Sequence, residues 1–196
     1  MINQIYDKQR GSIGGFILDF IQSIVLALAV FVLLYLFVAQ PNEVSGSSMF
    51  PNFVDKEYLL TEKISYTFGD IKRGDVVVFK APAGEVCAVD ECEYIKRVIG
   101  IPGDTVMVKN NQVYLNGQLL DQDFLPDEVI TSPGKYLEEG VEKLIPEDHY
   151  LCFGDNREHS RDSREFGPVK KDLIIGKALL KYWPVSAIGL IPTVNF

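Results

Sequence analysis

Residues 20–39 read FIQSIVLALAVFVLLYLFVA, twenty positions without a charge. At about 1.5 Å per residue, a helix of that length spans about 30 Å, the thickness of a bilayer's hydrocarbon core. Gln22 and Ser23 lie near its start, and Asp19 marks its boundary. A cleavable secretory signal would carry an apolar region of only about 7–15 residues. Phe37-Val38-Ala39 also sets a bulky ring at the first position of a small-x-small cleavage site. A buried core helix would show an apolar stripe, whereas this run is apolar on every face. The run is therefore expected to be an uncleaved transmembrane anchor. Lys8 and Arg10 precede it, and no further Lys or Arg appears until Lys56. The positive-inside rule then puts residues 1–19 in the cytoplasm and residues 40–196 outside.

Beyond the anchor the pattern changes. Residues 76–79, 94–99, 105–109, 112–115 and 150–153 are short runs rich in Val, Ile, Tyr and Phe. Gly, Pro, Asn and Asp separate them, as expected of β-strands. Lys109-Asn110-Asn111-Gln112 and Asn116-Gly117 read as tight hairpin turns, because Asn and Gly tolerate positive φ. No long amphipathic helical pattern follows the anchor; residues 162–165 could form one short turn. The outer part is therefore expected to be mostly antiparallel β, with a smaller β lobe over about residues 105–149 inserted between two core segments.

The net charge is −8, and the charges through Ala39 (Asp7, Lys8, Arg10 and Asp19) cancel, so the excess belongs to the outer domain. An acidic domain is a poor partner for nucleic acid, whose binding depends on Lys and Arg neutralising phosphates.

Four segments could carry chemistry: Val44-Ser45-Gly46-Ser47-Ser48-Met49-Phe50-Pro51, Arg73-Gly74-Asp75-Val76-Val77-Val78-Phe79, residues 94–104, and residues 154–164, GDNREHSRDSR. Each also has a plain reading. A Ser-rich stretch after a span can be a linker, Gly-Asp pairs can be turns, and a Lys on a strand can be a solvated edge residue. A serine hydroxyl needs a base within hydrogen-bond reach. His149 and His159 are the only histidines. A Lys can serve instead if desolvation lowers its pKa. Moving it from about 10.4 to about 8 costs roughly 3 kcal/mol, which a β core can supply. Lys96, within the apolar run at 94–99, is a plausible host.

In order and spacing after an N-terminal anchor, the four segments resemble the motif set of the bacterial type I signal peptidases, serine peptidases with a Ser–Lys dyad. The motifs span residues 44–169, and residues 176–184 resemble the family's closing strand. The resemblance implies a mostly β, antiparallel catalytic domain bound to the bacterial cell membrane by one span. It also implies hydrolysis of one peptide bond in a translocated preprotein, after small residues. Ser48 matches the nucleophile and Lys96 the general base. Ser160 matches the serine that orients that lysine, Asp162 and Arg164 a supporting ion pair, and Met49 a residue packed beside the nucleophile. The Ser48 backbone N–H is expected to donate to the oxyanion. Some relatives carry a serine two positions before the nucleophile whose hydroxyl also helps; here that residue is Gly46, so no second donor is assigned. No cofactor or metal is expected. The expected partners are signal-peptide-bearing preproteins and the lipid bilayer, with the chain acting as a monomer. Gly154 and the other glycines of these motifs are expected to permit tight β connections without touching substrate.

Rival readings are a related Ser–Lys peptidase, such as a conjugation-system maturation enzyme, and an inactive membrane-tethered binding module. A second base scheme, Ser48–His159–Asp162, would form a triad.

Three cysteines remain. Cys87 and Cys92 bracket four residues in a loop, and outside the membrane a disulfide between them would persist; two free thiols are the alternative. No second pair or nearby His completes a zinc site. Cys152 lies in an apolar run and is expected in the core.

Overall fold

The computed structural model describes residues 13–85, 92–126 and 129–196. The chain divides into two compact units, residues 1–39 and 40–196.

In the first unit, α1 (Ile13–Phe37) has no buried residue. It begins seven residues before the uncharged run, taking in Asp19. Its 25 residues give about 38 Å of helix, enough to cross a bilayer core with some tilt. Side chains such as Phe16, Leu26 and Phe31 are more than half exposed. A helix with that much bare apolar surface is stable in lipid rather than in water.

The second unit is mostly antiparallel β. Its large sheet contains β1 (Ala39–Glu43), β2 (Tyr58–Glu62), β3 (Val76–Lys80), β4 (Glu93–Gly100), β9 (His149–Phe153), β10 (Val169–Lys170), β11 (Ile174–Trp183) and β12 (Gly189–Leu190). The strand order is β1-β2-β11-β3-β4-β9-β10, with β12 on β11. The pairs from β2 to β10 are antiparallel. The smaller sheet, ordered β7-β6-β5-β8, is built from β5 (Thr105–Lys109), β6 (Gln112–Leu115), β7 (Gln118–Leu119) and β8 (Lys143–Leu144). It lies in sequence between β4 and β9, which pair directly in the large sheet.

The hairpin signals act as expected. Asn110, Asn111, Asn116 and Gly117 all have positive φ, matching the twist of the flanking strands. Two strands carry no strong signal of their own. β2 (YLLTE) is short, and the apolar character of β11 is broken by Lys177 and Lys181, yet β11 lies between β2 and β3.

Both faces of the β3 region are covered, so Val76 through Phe79 are all buried. On one face, Val76 and Ala178 pack with Val44, Met49, Phe53 and Leu59. This cluster ties the segment after β1 onto the sheet. On the other face, Val77, Phe79 and Val98 pack with Tyr150, Cys152 and Val169. A third cluster joins Val106, Val108 and Val113 of the small sheet to Ile99, Leu151 and Phe153 of the large one.

Candidate active site

The sheet faces deliver two chain segments to one place. The turn at Ser47–Phe50 is closed by the Phe50 N–H donating to the Ser47 carbonyl at 3.1 Å. Met49, 1% exposed, anchors it in the core beside the sheet. Lys96 comes from β4, where it pairs across from Val77. Its Nζ lies 2.7 Å from Ser48 Oγ and 2.9 Å from the Ile95 carbonyl.

Lys96 is 4% exposed. Burial pushes its pKa down to about 8, against the opposing pull of the nearby Asp162, Cys152 and Asp155. Among the described residues its ammonium meets a hydroxyl and a carbonyl but no carboxylate. A neutral lysine at that distance can take the serine proton, and at pH 8 about half the molecules hold it neutral.

The segment after β9 closes the site from behind. Asp162 caps α2 (Ser163–Phe166) by accepting the Arg164 N–H. Both of its oxygens also accept from the Arg164 guanidinium at 2.9 Å, and one takes the Gly154 N–H at 3.0 Å. Arg164 reaches further, to the carbonyls of Arg157 and Ser132. The pair thus braces the loop from Gly154 to Ser160.

A second buried pair, absent from the sequence reading, braces the same loop. Arg97, next to Lys96 on β4, grips Asp155 through two bonds of 2.8 and 2.7 Å, and Asn52 adds a third at 2.9 Å. Consecutive residues of one strand therefore take opposite roles. Arg97 is neutralised by a carboxylate, whereas Lys96 meets none.

Two residues of this segment add detail. Ser160 Oγ is buried and makes no hydrogen bond among the described residues, where the contacts of Lys96 Nζ go to Ser48 and to the Ile95 carbonyl. Gly154 is more than a connector. A Cβ there would collide with Ser160 Oγ and the Ser48 carbonyl, so only glycine lets the two segments approach this closely.

Gly46 has a φ of +89°, and its N–H donates to Asp55 Oδ1 at 2.7 Å. The Ser48 N–H donates to no acceptor among the described residues, which leaves it available to an oxyanion. His159 is exposed, and Ser48 Oγ is met by Lys96 instead. Cys92 is disulfide-bonded, and Cys87, its expected partner, lies outside the described residues. Cys152 is a buried free thiol whose pKa burial pushes up.

A cavity of about 240 Å³ opens beside Ser48 and Lys96, lined both by apolar Val44, Leu59, Val78 and Ile95 and by polar residues such as Glu43 and Arg161. The family model described as "Signal peptidase, peptidase S26" matches residues 17–183. This chain belongs to that family. It is 39% identical over 155 residues to a probable signal peptidase I-2 of Synechocystis, covering 79% of this chain and 68% of that one. It is 35% identical over 181 residues to signal peptidase IB of Staphylococcus aureus, covering 87% and 91%. A crystal structure of a signal peptidase I from Enterococcus faecalis overlays with a TM-score of 0.45 at 30% identity, over 55% of this chain and 96% of that one, too loosely to bear on the fold. The enzyme is thus a peptidase that removes signal peptides from preproteins, and its apolar helix fits association with a membrane.

Proposed function

We propose that Ser48 is the nucleophile of signal-peptide cleavage and Lys96 its general base. The observation that carries this is the 2.7 Å contact between Lys96 Nζ and Ser48 Oγ, at a lysine whose burial brings its pKa to about 8. Neutral Lys96 takes the Ser48 proton as Oγ attacks the scissile carbonyl. The same proton then goes to the departing amine. Lys96 next activates the water that releases the acyl-enzyme. Met49 seats the nucleophile turn, and the Asp162–Arg164 pair braces the loop behind it. Ser160 lies with the Ser48 carbonyl against Gly154, its hydroxyl without a partner among the described residues.

The modest volume of the cavity, with Val44, Leu59, Val78 and Ile95 in its lining, favours small side chains before the cut bond. Residues 20–39 would cross the bacterial membrane once, with residues 1–19 inside and the catalytic residues 40–196 outside as a monomer. On that outer side a Cys87–Cys92 bridge would persist.

Purified protein assayed on a peptide with Ala-x-Ala before the bond tests the chemistry. Ser48→Ala and Lys96→Ala should both be inactive while keeping the native melting transition. Turnover by either variant would refute the dyad. Protease added outside intact cells should digest residues 40–196 and spare residues 1–12; protection of the catalytic part would reverse the orientation.

A further inference from the structure

Asn156 makes two donations to the nucleophile turn. Its Nδ2 donates to the Ser47 carbonyl at 3.0 Å, and its backbone N–H donates to the Ser48 carbonyl at 3.0 Å. Those carbonyls belong to the two peptide planes on either side of the Ser48 Cα. Holding both planes fixes the backbone dihedrals of the nucleophile.

The Ser47–Ser48 peptide is trans, so its N–H points opposite to its C=O. A grip on the Ser47 oxygen therefore aims the Ser48 N–H away from Asn156. The Ser47 carbonyl also accepts the Phe50 N–H. A peptide unit whose oxygen accepts two bonds is polarised, which strengthens the donor at its other end. Asn156 is itself held in place, because Asp155 before it is locked to Arg97 and Gly154 before that lies against the Ser48 carbonyl.

We propose that Asn156 is a positioning residue that aims and polarises the Ser48 N–H as the oxyanion donor, an inference that rests on Ser48 being the nucleophile. In the acylation step, Ser48 Oγ bonds to the scissile carbonyl carbon and its proton passes to Lys96 Nζ. The carbonyl π pair moves onto oxygen, and that oxyanion accepts the Ser48 N–H. Collapse returns the pair, breaks the C–N bond, and the amine leaves with the proton from Lys96. Gly46 has no side chain to contribute, so the aim of the main-chain donor matters the more.

The test uses Asn156→Ala and the isosteric Asn156→Asp in the full-length protein. The kcat is expected to fall about 10- to 100-fold, less than the loss from deleting an oxyanion donor outright, because the Phe50 bond to Ser47 remains. KM should not move in either variant, and the pH midpoint of kcat/KM should not move in the uncharged Asn156→Ala, since Asn156 touches neither the substrate cavity nor Lys96. Affinity for a peptide aldehyde, whose tetrahedral adduct with Ser48 places an oxygen at this donor, should fall in parallel with kcat. Wild-type kcat in the Asp variant, or a loss confined to KM, or a shifted pH midpoint in Asn156→Ala, would overturn the proposal. If Asn156→Ala does not fold, the Asp variant decides. Ser48→Ala is assayed alongside. Turnover by that variant would bring down the nucleophile assignment and this inference together. An inactive Ser48→Ala beside fully active Asn156 variants would bring down this inference alone.

Discussion

Lys96 and Lys177 stand on either side of Val77 in one cross-strand row, Lys96 on β4 and Lys177 on β11. Directly opposed residues share a face of the sheet, yet the two lysines meet different surroundings. Lys177 Nζ lies 2.6 Å from Asp75 Oδ1 and donates to Thr193 Oγ1 at 2.6 Å. Asp75 also accepts the Tyr66 hydroxyl and the Lys72 N–H. Burial alone would raise its pKa, but the bonds from Lys177, Thr193 and Lys72 outweigh that and hold the carboxyl below its usual value. Lys96 is more deeply buried and meets no carboxylate among the described residues. Burial with a counter-charge makes a staple; burial without one lowers the pKa toward the range a base needs.

The largest effect expected from breaking this contrast is kinetic. Lys96→Met should lower kcat/KM by about 10³-fold or more, whereas Lys177→Met should leave most activity. Wild-type kcat/KM should rise with pH to a midpoint near the Lys96 value of about 8, and Lys177→Met should not move that midpoint. A midpoint near 6.5 would point instead to a histidine base.

The next effect is on stability. The folded pKa of Lys96, about 8, lies below its ordinary 10.5, so the unfolded chain binds more protons between those values. Stability must therefore rise with pH through that window. Below it, charging the buried amine costs up to about 3 kcal/mol at about 1.4 kcal/mol per pKa unit. Lys96→Met should accordingly be more stable than wild type at pH 6 to 7, with the gap closing between about pH 8 and 10.5. Urea denaturation at three pH values checks this, and a gap that widens with pH would contradict it.

Lys177→Met should act in the opposite sense and more weakly. It strips a partner from buried Asp75 and should cost about 1–3 kcal/mol at pH 7, less than for a fully buried pair because Lys177 is partly exposed. The loss should fade as the pH falls through the carboxyl range and Asp75 takes up a proton, which acid-side melting curves would show.

The smallest effect is expected at His159. His159→Ala should keep nearly wild-type turnover, because its ring is exposed and the Ser48 hydroxyl is met by Lys96. An inactive variant would revive the triad reading.

Much of this was legible in sequence because it is local. The N-terminal helix is built on a run of uncharged apolar residues, and the hairpins depend on Asn and Gly at two turns. Asp162 caps the helix two residues before its ion-pair partner, Arg164. Lys96 was legible as a lysine in an apolar strand, and Ser48 came from the resemblance to the family's motif set. What was missed depends on approach between distant segments. The Arg97–Asp155 pair joins residues 58 apart, and the Asn156 side chain reaches Ser47 across 109. Gly154 matters because Ser48 and Ser160 converge on it, which no turn signal announces.

The choice of base shows where sequence stops. A lysine set in an apolar strand describes both Lys96, in EYIKRVIG, and Lys177, in IIGKALLKYW. Sequence by itself determined that Lys96 could be buried and that burial would lower its pKa. Tertiary structure alone decided which one stays unpaired. Asp75 reaches Lys177 from 102 residues away, while the nearer carboxylates of Asp155 and Asp162 are occupied by Arg97 and Arg164. A charge in a low-dielectric interior is governed by the groups within a few ångströms of it, and the folded chain sets those neighbours.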